Sequence, residues 1–187
     1  MLSKPPVSLR DVIAAAIFSP NPVIPDVAWL IFSEIASTPI ASMIDGVVVI
    51  GPVVPGIDQA GRSLRSALAG LRARPGWPDA PNPVHADDLL PERLLDGDEL
   101  AAEQITALVG APLHSMGEPF EETVATYLSL GGSLEATARA LFVHANTVRY
   151  RLGRVSEQVG WDATNPRDGL MLHMAVLVGR LAAASRL

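Results

Sequence analysis

A row of hydrogen-bond donors recurs at helical intervals between positions 145 and 159. In this stretch Val148, Leu152, Val155 and Val159 are separated by steps of four, three and four, which places them on one face of an α-helix. The opposite face then suits base recognition, because Asn pairs with the edge of adenine and Arg with that of guanine. We expect a helix that buries the apolar stripe and offers to the major groove of DNA a polar face formed by Asn146, Arg149, Tyr150 and Gly153, flanked by Thr147, Arg151 and Arg154.

Local charge favours the same interpretation. From Arg139 to Arg154 the sequence holds four Arg and no Asp or Glu, whereas the whole chain has 14 basic and 20 acidic residues and a net charge of −6. A basic stretch in an acidic chain indicates a polyanionic partner. The alternative is an ordinary solvated helix face. The Asn-Thr pair that opens the helix, and the small residues Ala136, Ala138 and Ala140 upstream, favour the polyanion.

A shorter helix precedes this one. Ser133 is a candidate N-cap, since a Ser oxygen accepts an unpaired N–H of the first helical turn, and a helix is predicted from 134 to about 141. Phe142, Val143 and His144 form the predicted turn. Two helices joined by so short a turn form a helix-turn-helix, whose second helix lies in the major groove.

Position on the second helix predicts the role of each side chain. Asn146 and Arg149 are expected to read bases, while the flanking residues hold the phosphate backbone. His144 is either the N-cap of this helix or a contact to a phosphate or base edge, and Gly153 either lets the DNA backbone approach or is tolerated at an exposed site. The predicted DNA-binding residues are Ser133, His144, Ala145, Asn146, Thr147, Arg149, Tyr150, Arg151 and Arg154; no catalytic residue, metal ligand or cofactor is expected.

These residues carry a family resemblance. The segment GGSLEATAR from Gly131, followed by LFVHANTVRYRL at 141 to 152, resembles the C-terminal DNA-binding domain of PucR/CdaR-type bacterial transcriptional regulators, with a Fis-like helix-turn-helix. The resemblance extends from about 118 to 181, and LLPER at 89 to 93 is similar to the segment that precedes this domain in the family. It implies a sequence-specific transcriptional regulator that binds double-stranded DNA, with its effector sensed by an upstream region not present here.

An α/β segment is predicted nearer the N-terminus. GVVVIGPVV at 46 to 54 is a β-branched run typical of a strand buried on both faces. Pro55-Gly56 turns the chain into a helix over 57 to 74, with Ala60, Leu64, Leu68 and Leu71 on its apolar face. Residues 20 to 75 resemble the last part of the GGDEF-like domain of CdaR-type regulators. A partial sheet has open edges that must be covered or paired, so we expect a homodimer.

The remaining chain is predicted to be mainly helical. Helices are expected at 8–18, 26–36 (or a strand at 27–32), 86–95, 98–109, 120–130 and 166–184, with a proline-rich linker or ordered loop at 75–88 and breaks at Pro112, Gly117 and Pro119. Thr123, Tyr127 and Leu130 are expected on one stripe of their helix, and Leu170, Met174, Leu177 and Leu181 on the apolar face of the last. The predicted fold is therefore α+β overall: a partial GGDEF-like α/β segment (1–75), connecting helices (76–117) and a mainly α-helical helix-turn-helix domain (118–187).

Three other patterns suggest different chemistry. DGDEL at 96–100 resembles the signature of GGDEF-type nucleotide cyclases, but its helical context favours a helix start capped by Asp98. The side chains of His85, Asp87 and Asp88 could bind a metal ion. The simpler interpretation is that Asp87 or Asp88 caps the helix that follows. A catalytic triad could be imagined from Ser133, His144 and an Asp, but the sequence contains nothing that resembles a nucleophile elbow. A protein-interaction module, whose basic helix binds an acidic partner, is a further alternative.

Composition excludes several classes of protein. The sequence has no Cys, so it forms no disulfide and no thiolate metal site. Its apolar runs are too short for a membrane span, and its first residues do not resemble a signal peptide. We therefore expect a cytoplasmic protein.

Overall fold

The computed structural model describes residues 47–185, in two compact units that divide between Asp98 and Glu99. The helices predicted at 8–18 and 26–36 lie outside the described residues. Within residues 47–185, no helix is long and apolar enough to cross a bilayer.

The first unit contains two short parallel strands. Strand β1 (Val49–Ile50) pairs with β2 (Val84–His85), and the Val84 N–H donates to the Val48 carbonyl at 3.1 Å. The strand predicted over 46–54 is buried as expected at 48–50 but much shorter. Pro52 has no N–H to donate to a ladder, and Val53 is 61% exposed. The stretch predicted as a linker contributes the second strand.

Helix α1 (Ala60–Ala73), preceded by a 3₁₀ turn at Ile57–Gln59, buries a different face from the predicted one. Its buried residues are small, namely Ser63, Ser66, Ala67, Ala69, Gly70 and Ala73. A Cβ on Gly70 would lie 2.9 Å from Val49 Cγ1, so the helix approaches β1 more closely than larger residues allow. Of the predicted apolar face, Leu71 packs partly buried against the core, Ala60 and Leu64 are half-buried, and Leu68 is 38% exposed.

A buried arginine connects the two ends of the segment that follows β2. Helix α2 (Leu90–Leu95) starts later than predicted, with Leu89 at its N-cap, so neither Asp87 nor Asp88 caps it. Arg93 is fully buried; its Nε and Nη2 donate to Asp98 Oδ2 at 2.9 and 2.6 Å, and its Nη1 donates to the Ala86 carbonyl at 3.0 Å. Burial raises the pKa of Asp87, whereas the nearby Arg93 charge opposes that rise. Arg93 thus joins Ala86, directly after β2, to Asp98, three residues after the end of α2.

The second unit begins with a helix that continues through a proline. Helix α3 (Glu99–Ile105) passes into a π turn (Thr106–Gly110) and then α4 (Ala111–Ser115). The break predicted at Pro112 is wrong; the chain stays helical until Gly117, whose φ is 95°. A π turn widens the helix just before Pro112, where the proline ring would clash with the carbonyl four residues earlier.

The helix-turn-helix and its supporting helices complete this unit. They are α5 (Glu118–Ser129), α6 (Leu134–Ala140), α7 (Ala145–Val159) and α8 (Pro166–Ala184). Of the three residues predicted on one stripe of α5, Thr123 and Tyr127 are buried, whereas Leu130 is 40% exposed at the C-terminal end. Gly131 and Gly132 end α5 as predicted, with φ of 66° and 78°.

The apolar face predicted for α8 is wrong. Met171, Leu172, Ala175 and Val176 are buried, while Leu170, Leu177 and Leu181 are 37%, 38% and 69% exposed. A Cβ on Gly169 would lie 3.3 Å from Leu128 Cδ2 of α5. The side of α8 that carries this glycine therefore packs closest to α5, and the leucine stripe is turned outward.

Replacing Arg93 by Met should destabilise the first unit, because it removes one partner of a buried ion pair and leaves the Asp98 carboxylate without these donors. We expect the free energy of unfolding to fall by about 3–5 kcal/mol, measured by denaturant unfolding of the full chain. Arg72 gives a matched control, since it pairs with Asp96 at 3.4 Å with side chains 55% and 40% exposed. Arg72→Ala should cost at most about 1 kcal/mol; equal losses in the two variants would contradict the role assigned to Arg93.

Candidate nucleic-acid interface

The first helix of the motif starts and ends as its sequence predicts, to within one residue. The Ser133 hydroxyl accepts a hydrogen bond from the Ala136 N–H at 3.2 Å, which makes Ser133 the N-cap of α6. Thr137 and Ala138 are buried on its inner side.

The second helix has the predicted bounds, 145 to 159. His144 Nδ1 accepts a hydrogen bond from the Asn146 N–H at 3.1 Å, so His144 is an N-cap, one of the two roles considered for it. Gly160 ends the helix in the left-handed conformation with φ of 83°. A protonated imidazole has no acceptor nitrogen, so this cap requires the neutral ring.

The rotation of α7 about its axis is set by its buried stripe. Val148, Leu152 and Val155 are 0%, 3% and 0% exposed, as predicted. Arg151, on the flank, is half-buried, and its Nη1 donates to Thr123 Oγ1 at 3.1 Å and to the Pro119 carbonyl at 3.3 Å. Arg151 therefore binds α7 to α5.

The outward face of α7 brings together four of the nine predicted contact residues. A shallow groove is lined by Asn146, Arg149, Tyr150, Gly153, Arg154 and Glu157. Arg149 Nη1 donates to Asn146 Oδ1 at 2.6 Å, and Tyr150 is 63% exposed. A Cβ on Gly153 would meet nothing within 4 Å, so packing inside the protein does not require glycine there. Thr147 and Ala145 are half-buried beside this face.

Sequence reasoning missed two features of this region. Glu157 lies in the groove, where its Oε2 accepts from Arg154 Nη1 at 2.6 Å; the spacing of three residues is the signal that predicts such a pair. Phe142, expected only as part of the turn, is 96% exposed with φ of 54°.

The competing patterns have structural explanations. The DGDEL string leads from α2 into α3, with Gly97 in a left-handed turn and Glu99 and Leu100 starting the helix, as its helical context predicts. Ser133 and His144 cap different helices. In the described part of the chain, no group of three His, Cys, Asp or Glu is placed to hold a metal ion.

The geometry of a capped, basic helix-turn-helix has a counterpart among known families. Residues 120–178 match the family described as the PucR C-terminal helix-turn-helix domain. The chain therefore carries a PucR-type helix-turn-helix domain. The match includes the whole of α6 and α7, nearly all of α5, and α8 as far as residue 178, so the PucR domain includes much of the helices that support the motif.

The similarity of this chain to known relatives extends beyond the helix-turn-helix. An uncharacterized protein of Mycobacterium tuberculosis is 47% identical over 142 residues, covering 76% of this chain. The carbohydrate diacid regulator of Escherichia coli is 31% identical over 130 residues, covering 68% of this chain. The chain spans about a third, 34%, of the length of each of these relatives.

A solved structure is also similar. The crystal structure of a regulator of polyketide synthase expression from Bifidobacterium adolescentis superposes with a TM-score of 0.74 and 40% sequence identity. The similarity covers 81% of this chain and 61% of that chain. A large part of the described fold therefore occurs in an experimentally determined regulator.

Removing either cap should destabilise the motif, because an N–H of the first turn then loses its acceptor. We expect Ser133→Ala and His144→Ala each to lower the free energy of unfolding by about 0.5–2 kcal/mol, measured by thermal unfolding. His144→Asn keeps a capping acceptor and should retain stability. Ser129→Ala is a control, since the Ser129 hydroxyl donates to the Thr126 carbonyl at an exposed helix end. If Ser133→Ala costs no more than Ser129→Ala, the cap does not stabilise α6.

Proposed function

We propose that this chain is a sequence-specific DNA-binding transcriptional regulator whose helix α7 enters the major groove. The observation that carries the proposal is the outward face of α7, where Asn146, Arg149 and Arg154 line one groove. The helix-turn-helix family and the relatives described as regulators support it. The chain is proposed to act by binding rather than by catalysis.

The proposed roles follow from the side of α7 on which each residue lies. Asn146 and Arg149 read bases; their mutual hydrogen bond of 2.6 Å holds the Arg149 guanidinium along the outward face before DNA arrives. Thr147 and Arg154 hold phosphates, and Tyr150 adds an exposed aromatic donor beside them. Arg151 positions the helix through its bonds to α5.

The two helix starts are proposed to bind the DNA backbone. Ser133, His144 and Ala145 lie at the N-terminal ends of α6 and α7, and helix N-termini attract phosphates. At Gly153 the absence of a side chain leaves room for a strand of the duplex, since nothing in the protein fills that space.

The rest of the molecule is assigned supporting roles. We propose that residues 47 to about 75 are the end of a GGDEF-like domain, because β1 leads through Pro55-Gly56 into α1 as in that fold. We also propose a homodimer, since two recognition helices related by a two-fold axis meet half-sites about one helical turn apart. The segment 76–117 would connect these regions to the helix-turn-helix domain.

The base-reading role is tested by Arg149→Ala and Arg154→Ala on duplexes selected from a random pool. Arg149→Ala should lose about 1–3 kcal/mol of discrimination at one base pair. Arg154→Ala should weaken binding to all sequences alike and lower the slope of log affinity against log salt by about 1. Glu157→Gln, which frees Arg154 from its ion pair, is the matched control and should strengthen binding to all sequences. If Arg149→Ala weakens selected and random duplexes equally, Arg149 binds phosphate instead.

The dimer is tested by sedimentation at micromolar concentration, with and without a selected duplex. We expect two protomers per duplex, bound to half-sites about 10 base pairs apart. One protomer per duplex, together with a monomer in free solution, would contradict the dimer and leave the base-reading roles intact.

A further inference from the structure

Phe142 combines two unfavourable features in the turn between α6 and α7. Its side chain is 96% exposed, the highest value among the large apolar residues of the described chain. Its φ of 54° also makes it the one residue other than glycine with a positive φ between 47 and 185. Each feature opposes the stability of the isolated protein.

The backbone conformation is imposed by the way α6 ends. The Val143 N–H donates to the Ala138 carbonyl at 3.0 Å and the Phe142 N–H donates to the Arg139 carbonyl at 3.3 Å. This pair of bonds is a Schellman motif, whose left-handed position glycine occupies most readily. The chain uses glycine at the left-handed residue that ends α7, Gly160. At the end of α6 it carries a Phe, although a Cβ is unfavourable there.

Packing inside the protein does not account for the ring, because an almost fully exposed side chain buries very little surface. The turn itself would be more favourable with glycine. A residue kept in an unfavourable conformation with its apolar surface in water points to a contact made with a partner.

The surroundings of Phe142 indicate which partner. The ring lies within residues 139–154, which hold four Arg and no acidic residue. His144, two residues later, caps the end of α7 that is proposed to enter the major groove. If the start of α7 contacts a DNA duplex, the apolar groups within reach of Phe142 are those at the edge of the groove, namely thymine methyl groups and deoxyribose rings.

We propose that Phe142 is an apolar DNA contact, its ring packing against a thymine methyl or a deoxyribose at the edge of the site read by α7. Aromatic side chains make such contacts with the thymine methyl in the major groove. This inference rests on the proposed DNA-binding function and adds to it a recognition element that carries no charge. It explains why a Phe is present where the turn itself favours glycine.

The test uses Phe142→Gly and Phe142→Asn in the full chain, with Phe142→Tyr as the variant that keeps the ring. Both Gly and Asn tolerate the left-handed conformation, so both variants should unfold at a higher temperature than the wild type. On selected duplexes both should bind roughly five- to a hundredfold more weakly, the range of aromatic contacts to nucleic acids, whereas Phe142→Tyr should stay near the wild type. The salt slope should be unchanged, unlike that of Arg154→Ala, because no charge is removed.

Replacing each thymine of the selected site by uracil separates the two apolar groups. If one substitution weakens the wild type but not Phe142→Gly, the ring contacts that methyl. If no substitution does so while Phe142→Gly remains weak, the ring contacts deoxyribose.

Other outcomes overturn the proposal. If wild type and Phe142→Gly bind the selected duplex equally, Phe142 makes no DNA contact, although the proposed function stands. If Phe142→Gly binds DNA equally but sediments as a smaller species than the wild type, the ring contacts a second copy. If the wild-type chain binds no duplex at all, the proposed function fails and this contact fails with it.

Discussion

The burial of three side chains, Val148, Leu152 and Val155, determines how α7 is presented. They lie on one stripe and are almost fully buried, and successive residues of a helix are turned by about 100°. Once this stripe packs inward, Asn146, Arg149 and Gly153 must face outward. Arg151 secures the same rotation from the flank through its hydrogen bonds to α5. If the helix turned by one residue, Arg149 would be carried toward the core, where an unpaired charge is very unfavourable.

The donors on the outward face are already engaged in the free protein. Arg149 binds Asn146 and Arg154 binds Glu157, each at 2.6 Å. On binding DNA, Arg149 and Arg154 would therefore exchange their present partners for acceptors of the duplex. Such an exchange favours acceptors that lie in the same geometry as the partners they replace. Exposed pairs of this kind contribute little stability, so the exchange costs little. The pair of Arg93 and Asp98 differs, because the Arg93 side chain is fully buried and that of Asp98 is only 11% exposed.

Local signals made the helix-turn-helix predictable. Ser133, His144 and Gly160 act on hydrogen bonds within a few residues of themselves, and the bounds of α7 follow from them. The faces of α1 and α8 were not predictable in the same way. Both helices have apolar or small residues on more than one side, and the choice depends on close approach at Gly70 and Gly169, which only tertiary packing reveals. The role of Arg93 was also hidden, since its partners come from separate turns of the chain.

The most direct test of the account is methylation interference on a selected duplex. Methylation at guanine N7 blocks the major-groove edge that an Arg side chain reads, whereas methylation at adenine N3 blocks the minor groove. If α7 lies in the major groove, N7 methylation of at least one guanine prevents binding by the wild type, and Arg149→Ala loses sensitivity at that guanine alone. Interference confined to adenine N3, or none at either position, would contradict the placement of α7 in the major groove.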